Sequence, residues 1–174
     1  MKKNLSRACC VGLLLACLAG VANPVYGQVN SFSNPGSGTF KWETGANWSL
    51  NVPPQSGQSA FITNVVNAPA LSRFRTVTVD ATTAASPVTM TVSNLTIAGI
   101  GSFSGSHNNL FLNNAGSITP LFVQDSLTIS ANGTVNITNS MLFVANALYI
   151  DNGLFLNTGT LATDSLECDF FVSP

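Results

Sequence analysis

The stretch that decides the fold runs from Leu121 to Asn157: LFVQDSLTISANGTVNITNSMLFVANALYIDNGLFLN. It is a ladder of triplets, Leu121–Val123, Leu127–Ile129, Val135–Ile137, Leu142–Val144, Leu148–Ile150 and Leu154–Leu156. The outer two residues of each triplet are apolar and spaced by two, the period of a strand with one buried face. Turn formers separate the triplets: Gln124 to Ser126, Ser130 to Gly133, Thr138 to Ser140, Ala145 to Ala147, and Asp151 to Gly153. Nothing in the stretch follows a helical period. The expected structure is all-β, made of short strands stacked as the rungs of a solenoid.

A longer period supports this. Asn94-Leu95-Thr96-Ile97 matches Ser126-Leu127-Thr128-Ile129, 32 positions on. Gly101-Ser102-Phe103 falls on Gly133-Thr134-Val135 at the same offset, and Leu110 to Ala115 falls on Leu142 to Ala147. A fixed period of about 20–50 residues marks repeat architectures. One unit cannot bury its apolar face alone, so neighbours stack and share a core. The alternative is a β-sandwich containing two similar hairpins.

The 174 residues suit one domain, and only 7% of them are charged. Ordinary globular domains carry about 25%. The polar surface is built from Asn, Ser, Thr and Gly instead. Asn and Gly accept left-handed backbone angles at turns, and this low-charge surface suits an extracellular setting.

Residues 1–27 read as a secretory signal peptide. Lys2, Lys3 and Arg7 precede an uncharged, mostly apolar run from Ala8 to Ala22. That order is the export pattern, and the run is short for a membrane span of about 20 residues. Cleavage after Ala22 or Gly27 leaves a small residue at the cut. A lipoprotein cut before Cys17 is the minor alternative: Leu14-Leu15-Ala16-Cys17 loosely resembles a lipobox, but Leu15 suits it poorly and the apolar run continues beyond it.

The mature chain keeps three cations, Lys41, Arg73 and Arg75, against seven acids, a net charge of −4. Nucleic acid and anionic membranes need a basic footprint, and both are excluded as partners. Cys9, Cys10 and Cys17 leave with the leader, so Cys168 stands alone and forms no intrachain disulfide. No paired metal-ligand spacing is present, and no cofactor is expected.

Residues 28–39, rich in Asn, Ser, Gly and Pro, are expected to be a flexible lead-in. Residues 40–75 form an expected N-terminal cap that holds both tryptophans, Trp42 and Trp48. A first rung must be covered, and large rings do this efficiently. The other reading makes Trp42 and Trp48 a stacking platform for glycans. Residues 76–166 are the expected rungs. They open with strands at Thr76–Asp80 and Val88–Val92, joined by a small-residue loop, and carry a polar excursion from Ser102 to Asn109. Residues 167–174 are expected to be an irregular, truncated tail, leaving an open last rung prone to self-association.

The run Trp42…Ala46-Asn47-Trp48-Ser49, Pro53-Pro54, Ala60-Phe61-Ile62, Val77-Thr78-Val79 and Ser93 to Ile97, followed by Gly-punctuated rungs, resembles bacterial exported β-strand-repeat surface proteins. These include autotransporter-passenger-like and PEP-CTERM-type proteins, and the likeness covers most of residues 40–165. It implies a right-handed parallel β-helix and a role at or outside the cell surface, often adhesion or matrix. Unlike full-length members, this sequence shows no sorting helix with a basic tail, sortase signal or membrane barrel.

The residues favour no enzyme. Glycoside hydrolysis needs two carboxyls about 5–10 Å apart. Asp80, Asp125 and Asp151 each sit at a turn, where Asp is favoured for backbone bonding alone. Signatures of β-helix pectin hydrolases are missing, and the rungs offer no Lys or Arg as a lyase base. His107, the single histidine, lies in a polar loop. The reading is therefore an exported, non-catalytic structural or adhesive element. Its alternatives are a carbohydrate-binding module and, behind that, a polysaccharide lyase or glycosidase fragment.

Overall fold

A computed structural model describes residues 27–63, 74–99, 107–151 and 153–168. These residues build an all-β fold: eleven strands in one curled sheet. The strands are β1 Gln28–Ser31, β2 Gly38–Lys41, β3 Gln58–Ile62, β4 Phe74–Val79, β5 Thr91–Val92, β6 Asn94–Ile97, β7 His107–Val123, β8 Ser126–Ile129, β9 Gly133–Ile150, β10 Gly153–Leu156 and β11 Thr160–Cys168.

Every pairing between these strands is parallel. The one antiparallel contact is an isolated bridge between Phe32 and Trp48. A β-sandwich is built from antiparallel sheets, so that alternative does not describe this molecule. Parallel neighbours need a return path of a dozen or more residues, commonly a helix. Here the described parts of the return paths carry further strands of the same sheet, with short helical turns between some of them.

The pairings fall into three series. The first runs β1, β3, β6, β8, the end of β9 and the end of β11. The second runs β2, β4, the start of β7, the start of β9 and β10. The third joins β5, the end of β7, the middle of β9 and the start of β11. Strands β7 and β9 pass from one series to the next without a loop. The corners use residues with left-handed angles: Asn114 (φ 56) and Gly116 (φ 86) in β7, and Asn139 (φ 43) in β9. Asn tolerates this region because its short amide bonds locally, and here the Asn139 amide donates to Asn114 Oδ1 at 3.2 Å.

Alternate residues point inward, and the core is continuous. Ile62, Ile97 and Ile129 are fully buried, as are Leu95, Leu127 and Leu148 in the same series. Leu110, Val135, Leu121 and Leu142 fill it from the other two. Each fully buried side chain of this size contributes about 1.5–3 kcal/mol.

The expected 32-residue period holds at one step only, between β6 and β8. Leu95 pairs with Leu127 and Ile97 with Ile129, as the repeat requires. Leu110, however, pairs with Val135, and Leu142 pairs with Leu121. The offset shrinks along the chain, from Phe40 with Val77, through Val77 with Leu110 and Leu110 with Val135, to Val135 with Leu154. Segments between strands shorten while the pairing rule stays the same. The likeness of 110–115 to 142–147 therefore reflects shared apolar spacing, not adjacency.

Other expectations are corrected locally. The lead-in is not loose: β1 pairs with β3, and Asn30 and Phe32 are buried. The cap region contributes β2 and β3 to the sheet. Thr76–Val79 is a strand as expected, but the next segment is not. Pro87 starts a 3-10 turn over Pro87–Thr89, because its fixed φ suits a helical first position and it has no N–H for a ladder. Before it, Asp80 caps the single helical turn α1, Ala81–Ala84, accepting from Thr82 and Thr83 N–H. His107 to Asn109 open β7, and Glu167 and Cys168 close β11, instead of lying in a loop and a tail. Residues 1–26, with Cys17, lie outside the described residues, as do the rest of the excursion to Ser106 and the tail from Asp169.

Candidate functional site

Trp42 and Trp48 come together at the start of the fold, beside Phe32 and Phe40. The two indoles meet edge-on with centroids 5.0 Å apart, and Phe32 meets Trp48 at 5.6 Å and 89°. Edge-to-face contact is the arrangement ring quadrupoles prefer. Trp42 Nε1 donates to Thr89 O and Trp48 Nε1 to Trp42 O, both at 2.8 Å. Both side chains are buried, with at most 1% of their surface exposed. A sugar-stacking platform requires an open ring face, and neither ring has one. Their packing is that of a plug filling the end of the core.

The acids are dispersed. Asp125 precedes β8 and is exposed; its Oδ1 accepts from the Asn146 amide at 2.9 Å. Asp151 follows β9 and is also exposed, its N–H donating to Ile129 O. Register places Asp125 beside Asn146 and Asp151 beside Ser130, at opposite ends of two adjacent strands. Five residues of strand separate them, about 17 Å, well beyond the separation a glycosidase pair needs. No cluster of three metal-ligating side chains occurs among the described residues.

Asp80 does gain partners. Lys41 Nζ forms an ion pair with Asp80 Oδ2, and Thr83 Oγ1 donates to Glu43 Oε2 at 2.7 Å. The Lys41 ammonium is raised above its ordinary pKa, chiefly by its hydrogen bond to Asp80. Desolvation pushes Asp80 up, but the bonds from Lys41, Thr82 and Thr83 outweigh it and hold the carboxyl below its usual value. This cluster ties β2 to the turn after β4. Asp80 with Thr83 three positions on was the legible signal for its cap, but nothing local marked Lys41 as the partner.

His107 stacks on Phe74, its register neighbour, with centroids 5.2 Å apart and planes at 13°. Arg75, beside Phe74, is fully buried, its Nε donating to Gly36 O. Nothing in the residues around Arg75 marks it for burial.

One open cavity of about 400 Å3 lies at the corner leading into the first strand series. Gly27, Ser59, Ser93, Asn94, Gln124 and Asp125 line it. Its lining is hydroxyl, amide and one carboxylate, with no cation. No helix among the described residues is long and apolar enough to cross a membrane. No family model matches the chain, and neither a curated protein nor a solved structure matches it.

Proposed function

We propose that the chain is an exported, non-catalytic right-handed parallel β-helix that serves as a structural or adhesive element at the cell surface or outside the cell. The observation that carries this reading is the three-series parallel register around one apolar core. A chain that passes through each series in turn and returns beside itself is a stack of coils. The positive-then-apolar leader and the low-charge Asn/Ser/Thr exterior support export, and the likeness to exported β-strand-repeat proteins points the same way. The separated acids and the single stacked histidine support a non-catalytic role.

The test is to express the complete sequence in an exporting bacterium and read the N-terminus of the product. Processing near Ala22 or Gly27 with recovery outside the inner membrane is the expected result. Lipid attachment at Cys17 would replace free secretion with an anchored form. An unprocessed cytoplasmic product would sink the export reading, and a crystal structure without coils would sink the architecture.

Self-association belongs to the same proposal. Strands β10 and β11 each pair with β9 on one side only among the described residues, and unpaired edges recruit other strands. Sedimentation should give a mass that rises with concentration; a single monomeric species throughout would remove this part.

A further inference from the structure

The outward residues of the first strand series form two straight columns. Ser59, Asn94, Ser126 and Ala147 make one; Phe61, Thr96, Thr128 and Tyr149 make the other. The polar column is ordered by its own bonds. Asn94 Nδ2 donates to Ser59 Oγ at 3.4 Å, and Ser126 Oγ donates to Asn94 Oδ1 at 2.8 Å. Within the second column two threonine hydroxyls lie between two aromatic rings, and by register the column continues to Ser31 beyond Phe61 and to Glu167 beyond Tyr149. Tyr149 is 41% exposed. Three strand spacings separate it from Phe61, about 14 Å. The 400 Å3 cavity adjoins this strip, since Ser59 and Asn94 belong to both.

We propose that this strip and cavity bind an uncharged polysaccharide. The chemistry selects the class. A sugar ring offers an apolar face to an aromatic side chain and hydroxyls to hydroxyl and amide partners. The strip provides both at a regular repeat, and its sheet backing holds them rigid. Charge excludes the anionic polymers: no lysine or arginine follows Arg75 in the sequence, and Asp125 sits in the cavity wall. The proposal deepens the adhesive reading by moving the glycan contact from the buried Trp42 and Trp48 to Phe61, Thr96, Thr128 and Tyr149. It concerns what the folded chain binds, so it can fail while export and the coil architecture stand.

The test uses the purified chain with insoluble cellulose and chitin, and calorimetry with cellohexaose and chitohexaose. Binding to at least one probe is expected, unchanged between dilute and molar salt because no ion pair is involved. Tyr149→Ala should weaken it about fivefold to tenfold, the scale of one aromatic contact. Thr128→Val, which keeps the strand shape and removes only the hydroxyl, should weaken it less. Phe122→Ala is the control, because Phe122 belongs to the third series, where its ring packs at a tilt against Phe143 with centroids 5.2 Å apart. No retention on any of the four probes overturns the proposal. So does binding that salt abolishes, or that Phe122→Ala removes while Tyr149→Ala spares.

Discussion

The first and last strands of the sheet treat their large apolar residues in opposite ways. At the N-terminal end, Phe32, Trp42 and Trp48 are buried edge to face, and the Asn30 amide bonds to Val52 O and Gln58 Oε1. At the C-terminal end, Leu156 pairs with the fully buried Ile137 and Leu166 with the fully buried Leu148. Yet Leu156 is 50% exposed and Leu166 58%. Register assigns a side chain to the core; only a further layer removes it from water. Each strand's side chains are covered by those of the strands beside it, so identical leucines differ in worth by their place in the sheet.

The largest expected effect tests the closed end. Trp42→Ala should cost about 3–5 kcal/mol, as large-to-small changes at fully buried aromatics do, and it also removes the donor to Thr89 O. Leu166→Ala at the open end should stay within about 0.5 kcal/mol, as at other exposed positions. Urea unfolding of both variants checks the contrast; equal losses would erase it.

A second substitution probes the interior between the ends. A Cβ on Gly133 would lie 2.2 Å from Ile97 O, a backbone atom of the neighbouring layer. Gly133→Ala should therefore cost about 1–3 kcal/mol through forced displacement. An unchanged midpoint would mean that the layers are looser than their register implies.

Hydrogen exchange sharpens the comparison layer by layer. Amides of β10 and β11 should exchange fastest and those of β4, β6 and the start of β7 slowest, because protection follows local contact and burial. Leu156→Ser should leave this order unchanged while reducing self-association in sedimentation. A tighter oligomer in that variant would place the contact elsewhere.

The smallest effect is electrostatic. Asp80 is held below its ordinary pKa, so its contribution is present above the unfolded value and is lost as pH falls through the folded one. Lys41 is raised, so its contribution is present below its unfolded value and is lost as pH rises through the folded one. Lys41 is 46% exposed, and solvent screening limits the pair to about 0.2–1 kcal/mol. The double-mutant cycle of Lys41→Met and Asp80→Asn should show this coupling at pH 7 and lose it in acid and in strong base.

Much of the all-β character was legible because strand spacing is local. The triplets from Leu121 onward predict strands, and Leu95 with Leu127 gives a true neighbour. The constant 32-residue period was not correct, because pairing depends on how much chain each corner consumes, and corner lengths vary. The end of the expected Val88–Val92 strand survives, but Pro87 takes its start into a 3-10 turn. The candidate site was less legible. Composition placed two tryptophans near the start and allowed either a plug or a platform; burial of both rings resolves their geometry in favour of a plug. The columns through Thr96, Thr128 and Tyr149 could not be read as one surface, since their spacings along the chain differ.

What the sequence determined by itself follows from short-range chemistry: strand period, turn residues and the near absence of charge. Those properties depend on a residue and its few neighbours. The tertiary structure alone decided which strands lie side by side, that Trp42 and Trp48 face inward, that Lys41 finds Asp80, and that one end of the core is filled while leucines at the other meet water. Each of these depends on where distant segments come to rest, and burial belongs to the assembled sheet rather than to any residue within it.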